Sequence, residues 1–484
     1  MQEIVTIDAI KKKSLSGVIA LTSRTFVLQL IAFSATFLLT IFLSPAIFGI
    51  FYVVSAVISF LGYFSDIGLA AALIQKKEAL NEDDLRTTFT IQQVLVGLVV
   101  ILAFIVAPYI GTFYHLDSSG LLLLRVLIVS FFLSSLKTIP SVLLERNLEF
   151  QKLVLPQIFE TLGFYIVAVV LAWKGFGVTS FTWAVMTRGI VGLVAIYVVS
   201  PWKISFGISK SVAYRLLRFG LPFQVNSFLA LIKDDLLTVV LGKMLPFAQV
   251  GYIGWAKKWA EIPLRLIMDS IVRVTFPAFS RLQHDKELLG KAIEKTLFGL
   301  SLTIFPISVG LLYYVGPLVR LIPRYEKWEP ALMSFYLFAI ASAVASLSTP
   351  LTNALNAVGK IKTTLYLMVL WTTSTWILTL FLVHLIGFNG VSLSLLLITS
   401  TIILVVHLAK RISSFSFFIS IRVPFLGAVT QAIAYSLIQS IFPAGIVWLI
   451  LSASLGVILY MCTVWAFERN RIVQLLRQFS LWKR

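Results

Sequence analysis

The stretch TTFTIQQVLVGLVVILAFIVAPYI, residues 87–110, contains no Asp, Glu, Lys or Arg. About 20 apolar residues in a helix cross the ~30 Å hydrocarbon core of a bilayer. This stretch therefore reads as a membrane-spanning helix. Working outward, segments of the same kind recur at 14–43, 46–75, 119–140, 154–173, 177–200, 214–242, 247–280, 296–316, 329–352, 363–384, 388–409, 424–441 and 445–467. The total is fourteen. Composition agrees with that reading. Hydrophobic residues make up 59% of the 484 and charged residues 13%, against about a quarter charged in soluble domains. A soluble chain of this composition would expose apolar patches that monomers rarely carry. Disorder, a secreted disulfide scaffold and a soluble enzyme are excluded.

Lys11, Lys12 and Lys13 precede an apolar stretch too long for a signal-peptide core and lacking a small-residue cleavage site, so it reads as the first span. The formal net charge of +19 does not point to nucleic acid, because Lys and Arg collect in cytoplasmic loops of membrane proteins. With the N-terminus inside, the inner segments hold 26 of the 40 Lys and Arg residues. The outer loops hold five: Lys174, Lys243, Arg320, Arg324 and Lys327. That asymmetry supports both termini in the cytoplasm. The basic tail reads as a topology anchor, with a place on the anionic inner leaflet as the alternative.

The remaining cations lie within spans: Arg24, Arg125, Lys137, Arg188, Lys233, Lys257, Lys258, Arg265 and Arg273. Six acids join them: Asp66, Glu160, Asp234, Asp235, Glu261 and Asp269. Each ionisable group at a helix centre costs about 2.5–3.5 kcal/mol on insertion scales. Arg125 and Lys137 lie near helix ends and read as snorkelling. The others need water or a counter-charge. Span 8 alone carries six. From Lys258 through Glu261, Arg265 and Asp269 to Arg273 the steps are three or four residues, which makes one helical stripe. Glu261 with Arg265, and Asp269 with Arg273, are i,i+4 pairs.

The polar positions fall mainly on spans 1, 2, 7 and 8. A weak internal echo supports two lobes. Leu38–Phe42 precedes Pro45 and Gly49, and Leu236–Val240 precedes Pro246 and Gly251, about 200 residues later. Transporters are commonly built from such repeats. The expected architecture is an all-α polytopic membrane protein with two pseudo-symmetric six-helix lobes around a central cavity. Its divisions are a cytoplasmic N-terminus 1–13, lobes 14–212 and 213–412, two further helices in 413–467, and a basic tail 468–484.

A cavity with surplus Arg and Lys suits an anionic ligand, since Arg forks onto phosphate oxygens and Lys acts as a point charge. Arg24, Lys257, Lys258, Arg265, Arg273 and Arg188 are the candidate headgroup binders. Asp66, Asp234, Asp235, Glu261 and Asp269 are candidate counter-charges, or sites for a coupling H⁺ or Na⁺; no other cofactor is expected. Tyr252, Trp255 and Trp259 beside the stripe are candidates for stacking on sugars, with packing or interface anchoring equally open. The single Cys462 and the scattered His115, His284, His384 and His407 match no metal-site spacing. No GxxxxGK[ST] loop is present, and no soluble domain stands ready for catalysis. An enzyme is not expected.

Particular stretches carry a family resemblance. Leu43-Ser44-Pro45-Ala46-Ile47-Phe48-Gly49 and Phe64-Ser65-Asp66-Ile67-Gly68-Leu69-Ala70-Ala71-Ala72-Leu73-Ile74-Gln75 resemble the opening of Wzx-like polysaccharide flippases of the MOP superfamily. Val250-Gly251-Tyr252 with Trp255-Ala256, Phe276–Gln283, Lys327-Trp328 and Asn353–Lys360 are similar in order and spacing. The resemblance runs from about residue 14 to 412. It implies a V-shaped pair of lobes, a cavity lined by helices 1, 2, 7 and 8, and alternating access. The implied substrate is a polyprenyl-diphosphate-linked oligosaccharide moved between leaflets of the bacterial cytoplasmic membrane. Arg24 and Arg265 match the diphosphate-binding arginines of related flippases by helix and depth. Asp66 matches within its motif, and Asp234 and Asp235 resemble the family's polar patch in helix 7. Membrane lipids, a polysaccharide polymerase and chain-length proteins are the implied partners, and a monomer suffices. A multidrug or cation antiporter of the same superfamily and a non-transporting scaffold of a glycan assembly complex are the alternatives.

The charge asymmetry makes one direct prediction. A reporter that fluoresces only in the cytoplasm will be active when fused at either terminus, and a phosphatase active only outside the membrane will be silent at both.

Overall fold

The computed structural model describes residues 27–63, 68–76, 78–441 and 445–481, except for the side chains at 219, 221–230, 262–264, 266, 269–270, 272–273, 446, 472 and 474–481. The described residues are mostly helical, with no strand among them. The chain divides into two compact units, Met1–Gly251 and Tyr252–Arg484.

In the first unit, α1 (Val27–Phe42) leads into α2 (Pro45–Tyr63), α3 (Leu69–Gln75), α4 (Glu82–Phe113), α5 (Ser118–Ser135), α6 (Thr138–Arg146), α7 (Phe150–Trp173), α8 (Val178–Val199), α9 (Lys210–Leu231) and α10 (Leu237–Met244). The division between the units falls early in α11 (Phe247–Arg281). The second unit continues with α12 (Lys286–Leu321), α13 (Leu332–Ala357), α14 (Ile361–Ile386), α15 (Asn389–Thr399), α16 (Ile402–Lys410), α17 (Phe417–Ile441) and α18 (Ile446–Leu481).

Among the described residues, 11 helices are long and apolar enough to cross a membrane. They correspond to all the expected spans except the first, seventh and eighth. Val27–Phe42 is apolar but shorter, and α9 and α11 stand outside the set. Two expected spans are each divided. Span 2, expected to be continuous from 46 to 75, holds α2, described to Tyr63, and a separate α3 that begins after Gly68. Gly68 has φ +73°, the left-handed region that favours glycine. A Cβ there would also lie 2.7 Å from the Gly220 carbonyl of α9. Span 4, read to residue 140, stops at Ser135, and α6 restarts the helix with Pro140 in its first turn.

The α3–α4 corner is held by one acid, Asp84, and three of the cations counted in the inner segments, Lys76, Arg146 and Arg215. Asp84 is 1% exposed and closes a capping box with Asn81, donating its backbone N–H to Asn81 Oδ1 at 2.8 Å. Its carboxylate pairs with Lys76 at 2.5 Å and with Arg215 at 3.3 Å. Arg146 donates to the carbonyls of Leu73 at 2.7 Å, Lys76 at 2.6 Å and Glu78, capping the end of α3.

In the second unit, Asp285 caps α12 by accepting from the backbone N–H groups of Glu287 and Leu288. Phe298 of α12 packs with Val423 and Ala428 of α17 and with Tyr460 and Val464 of α18. The Tyr460 hydroxyl donates to the Leu302 carbonyl at 3.0 Å. These contacts dock the last two helices onto α12.

The starts of α2 and α11 cross at contact distance. A Cβ on Gly49 would overlap the Phe247 carbonyl, and one on Gly251 would overlap the Pro45 carbonyl. Gly97 of α4, by contrast, has nothing within 4 Å of an added Cβ. Gly97→Ala should therefore gain stability, because alanine is the better helix former by about 0.5–1 kcal/mol. Gly49→Ala and Gly251→Ala should each lose about 1–3 kcal/mol by overpacking. Thermal unfolding in detergent will read the opposite signs.

Candidate functional site

The charged stripe lies on a single unbroken helix. Lys257, Lys258, Glu261 and Arg265 all belong to α11. Arg265 donates to Glu261 at 2.5 Å, the i,i+4 pair that the spacing requires. Within this pair the acid is mostly covered, with 18% of its side chain exposed against 66% for the arginine. A guanidinium has five N–H donors, so most of Arg265 remains available to a further acceptor. Lys257 and Lys258 are half-buried. Asp269 and Arg273 continue the same helix backbone, but their side chains lie outside the described residues, as do Arg24 and Asp66.

Asp234 and Asp235 lie in the first unit in an unexpected setting. Between α9 and α10 the backbone forms a π-helical turn, Ile232–Leu236. π turns are rare, and they concentrate at functional sites. Asp234 is exposed, and Lys233 and Asp235 are half-buried. The sequence signal was the Lys-Asp-Asp run itself, which gave no indication of the extra residue in the turn.

The aromatic candidates are packing groups to different degrees. Trp255 is 2% exposed, and its indole donates to the Tyr325 hydroxyl at 3.2 Å. Its ring lies against Trp328, with centroids 5.4 Å apart and 14° between planes. That face of Trp255 is covered, the packing alternative of the two left open for this residue. Tyr252 is half-buried beside Trp328 and Phe388. Trp259 is half-buried. Trp328 and Tyr325 lie some 70 residues from Trp255, so helical spacing could not reveal their partnership.

Arg188 belongs to α8 of the first unit and is exposed. It lines a cavity of about 510 Å³ together with Ser55, Ser59, Ser134, Lys137 and Glu160. Lys137 does not snorkel. Its ammonium lies 2.6 Å from Glu160, and the two side chains are 16% and 13% exposed. Gly192 of α8 makes this possible, because a Cβ there would overlap the Glu160 carboxylate. The sequence signal was two lone charges of opposite sign in neighbouring apolar spans.

Comparison with known proteins places these features. Residues 38–333 match the model of a family described as polysaccharide biosynthesis protein. The chain belongs to that family. It is 25% identical over 320 residues to the succinoglycan biosynthesis transport protein ExoT of Rhizobium meliloti (strain 1021), covering 66% of this chain and 64% of the relative. It is 25% identical over 327 residues to the lipopolysaccharide biosynthesis protein WzxC of Escherichia coli (strain K12), covering 65% and 64%. The teichuronic acid biosynthesis protein TuaB of Bacillus subtilis (strain 168) is 24% identical over 304 residues, 61% of each chain. The chain thus spans just under two thirds of the length of these relatives. Its fold is similar to that of the lipid II flippase MurJ in an inward closed conformation, with a TM-score of 0.75 at 16% identity over 93% of this chain and 99% of the other. An inward-facing MATE transporter of the MOP superfamily gives a TM-score of 0.60 at 15% identity, over 81% and 98%. The protein is a multi-pass helical membrane protein with a fold similar to these two.

The buried Lys137–Glu160 pair makes a double-mutant prediction. Lys137→Met or Glu160→Gln alone leaves one charge unpaired and should cost about 3–5 kcal/mol. The double variant should recover most of that loss. A loss in the double variant equal to the sum of the two single losses, read by thermal unfolding, would show that the two groups do not interact.

Proposed function

We propose that this protein is a flippase, not an enzyme. It moves a polyprenyl-diphosphate-linked oligosaccharide across the bacterial cytoplasmic membrane by alternating access, as a step in surface polysaccharide biosynthesis. The observation that carries the proposal is Arg265. It stands two-thirds exposed on a membrane-length helix, oriented by Glu261 and flanked by Lys257 and Lys258. An exposed guanidinium on a helix of membrane-spanning length has chemical sense where an anion is to be gripped. The family match, the transport and biosynthesis names of the relatives, and the fold shared with MurJ support the same reading.

In this reading, Arg265 and Lys258, with Arg24 and Arg273, hold the diphosphate and its sugars. The lipid tail stays in the bilayer. Glu261 orients Arg265. Asp66, Asp234, Asp235 and Asp269 serve as counter-charges or as sites for a coupling H⁺ or Na⁺. Both termini face the cytoplasm. A polymerase and chain-length proteins are the partners that would take the delivered unit.

Arg265→Ala should abolish glycan export while the protein still accumulates in the membrane, and Arg265→Lys should retain a fraction of export. Cells lacking the protein should accumulate a complete lipid-linked oligosaccharide, measured by mass spectrometry, and lose surface polysaccharide. Normal export by Arg265→Ala would remove the headgroup role. Unchanged intermediates with altered tolerance of cationic dyes would replace the flippase by a cation antiporter.

A further inference from the structure

The first unit contains a polar cavity that the stripe on α11 does not account for. Helices α2, α5, α7 and α8 line it, and its polar wall holds Ser55, Ser59, Ser134, Lys137, Glu160 and Arg188. A second space of about 320 Å³ adjoins it and shares Phe51, Phe164 and Arg188; Gln29, Thr161 and Tyr165 also line it. Arg188 is therefore the polar group common to both.

The charges in this wall do not balance. Lys137 and Glu160 neutralise each other at 2.6 Å. Arg188 makes no ion pair with any carboxylate among the described residues. Among the described residues of this wall one positive charge, that of the exposed Arg188, is left over. An oxyanion suits this wall, because it accepts from the Arg188 fork and from the exposed hydroxyls of Ser59 and Ser134. The combined space admits a group the size of a sugar ring.

We propose that this cavity is an oxyanion site, with Arg188 as its anchor and the Lys137–Glu160 pair as its fixed wall, which takes a carboxylate or a phosphate. The site itself stands on this geometry. Its ligand's source rests on the flippase reading: the acidic group is either a uronate-type sugar of the glycan or a phosphate of the lipid carrier. Glu160 keeps Lys137 from competing for the anion, so the net attraction is centred on Arg188. Gly192 holds that arrangement by leaving room for the Glu160 carboxylate.

The test uses the full-length protein in nanodiscs, with the native thiol removed by Cys462→Ala and a reporter thiol placed in the cavity by Ser59→Cys. Alkylation of that thiol is followed at constant ionic strength in the presence of glucuronate, inorganic phosphate or neutral glucose. Saturable protection by an anion and none by glucose is expected. Stronger protection by glucuronate assigns the site to an acidic sugar, and stronger protection by phosphate assigns it to the lipid's phosphate. Arg188→Gln should raise the half-protecting concentration at least ten-fold, and Arg188→Lys should raise it less. Protection by glucose, protection unchanged in Arg188→Gln, or no protection by either anion would overturn the site. If cells lacking the protein keep unchanged lipid-linked intermediates while anion protection persists, the flippase reading fails and the oxyanion site stands.

Discussion

A charged side chain within a bilayer needs water, a counter-charge or a route to the interface, and the fold is arranged around that requirement. Different charges meet it differently. Lys137 and Glu160 come from neighbouring elements and cancel inside the first unit. Asp84 is almost fully buried, but it lies at a helix start, where Lys76, Arg215 and the capping box surround it. Glu261 and Arg265 pair along one helix, and the arginine stays exposed. The first two arrangements satisfy their charges and hold helices together. The third leaves donors unused, and it is the one to which the proposed headgroup role is assigned.

The positions of the helices were legible because composition and length decide them. An uninterrupted apolar stretch such as residues 87–110 has only one stable form in lipid, since every backbone amide must be satisfied within the segment. The stripe on α11 was legible for a related reason: residues three and four apart on a helix share a face. Interactions across elements were not legible. Stacking on a sugar and packing stayed equally open for Trp255 from the sequence. Its ring partner Trp328 is remote in sequence, and nothing in local spacing joins them. Arg146 was counted as a topology charge, and its guanidinium caps α3 through backbone carbonyls, which carry no sequence signature. The break at Gly68 was hidden because an apolar run and a left-handed glycine look alike in composition.

The asymmetry of the Glu261–Arg265 pair bears on how an anion would be gripped and released. A fully buried ion pair is closed to a third party, and breaking it strands a charge. Here the covered carboxylate fixes the guanidinium while the fork still faces outward. An arriving phosphate then meets an arginine whose rotamer freedom is already spent, so less entropy is lost on binding. The same acid weakens the net positive field, which favours release. Replacing Glu261 would therefore be expected to alter grip and release in opposite directions, whereas replacing Arg265 would remove the grip itself.

The internal echo of the sequence acquires a physical meaning from the crossing of α2 and α11. The two Pro-to-Gly segments are not merely similar; they touch. Gly49 faces the Phe247 carbonyl, and Gly251 faces the Pro45 carbonyl. Each copy of the motif thus supplies both the small residue and the carbonyl that the other copy needs. In membranes, helices associate largely through such close backbone approach at small residues, because lipid offers no hydrophobic force between them. A side chain at either glycine would separate the helices at both points. The repeat is therefore constrained as a pair, so these short stretches can stay alike about 200 residues apart while the sequence around them differs.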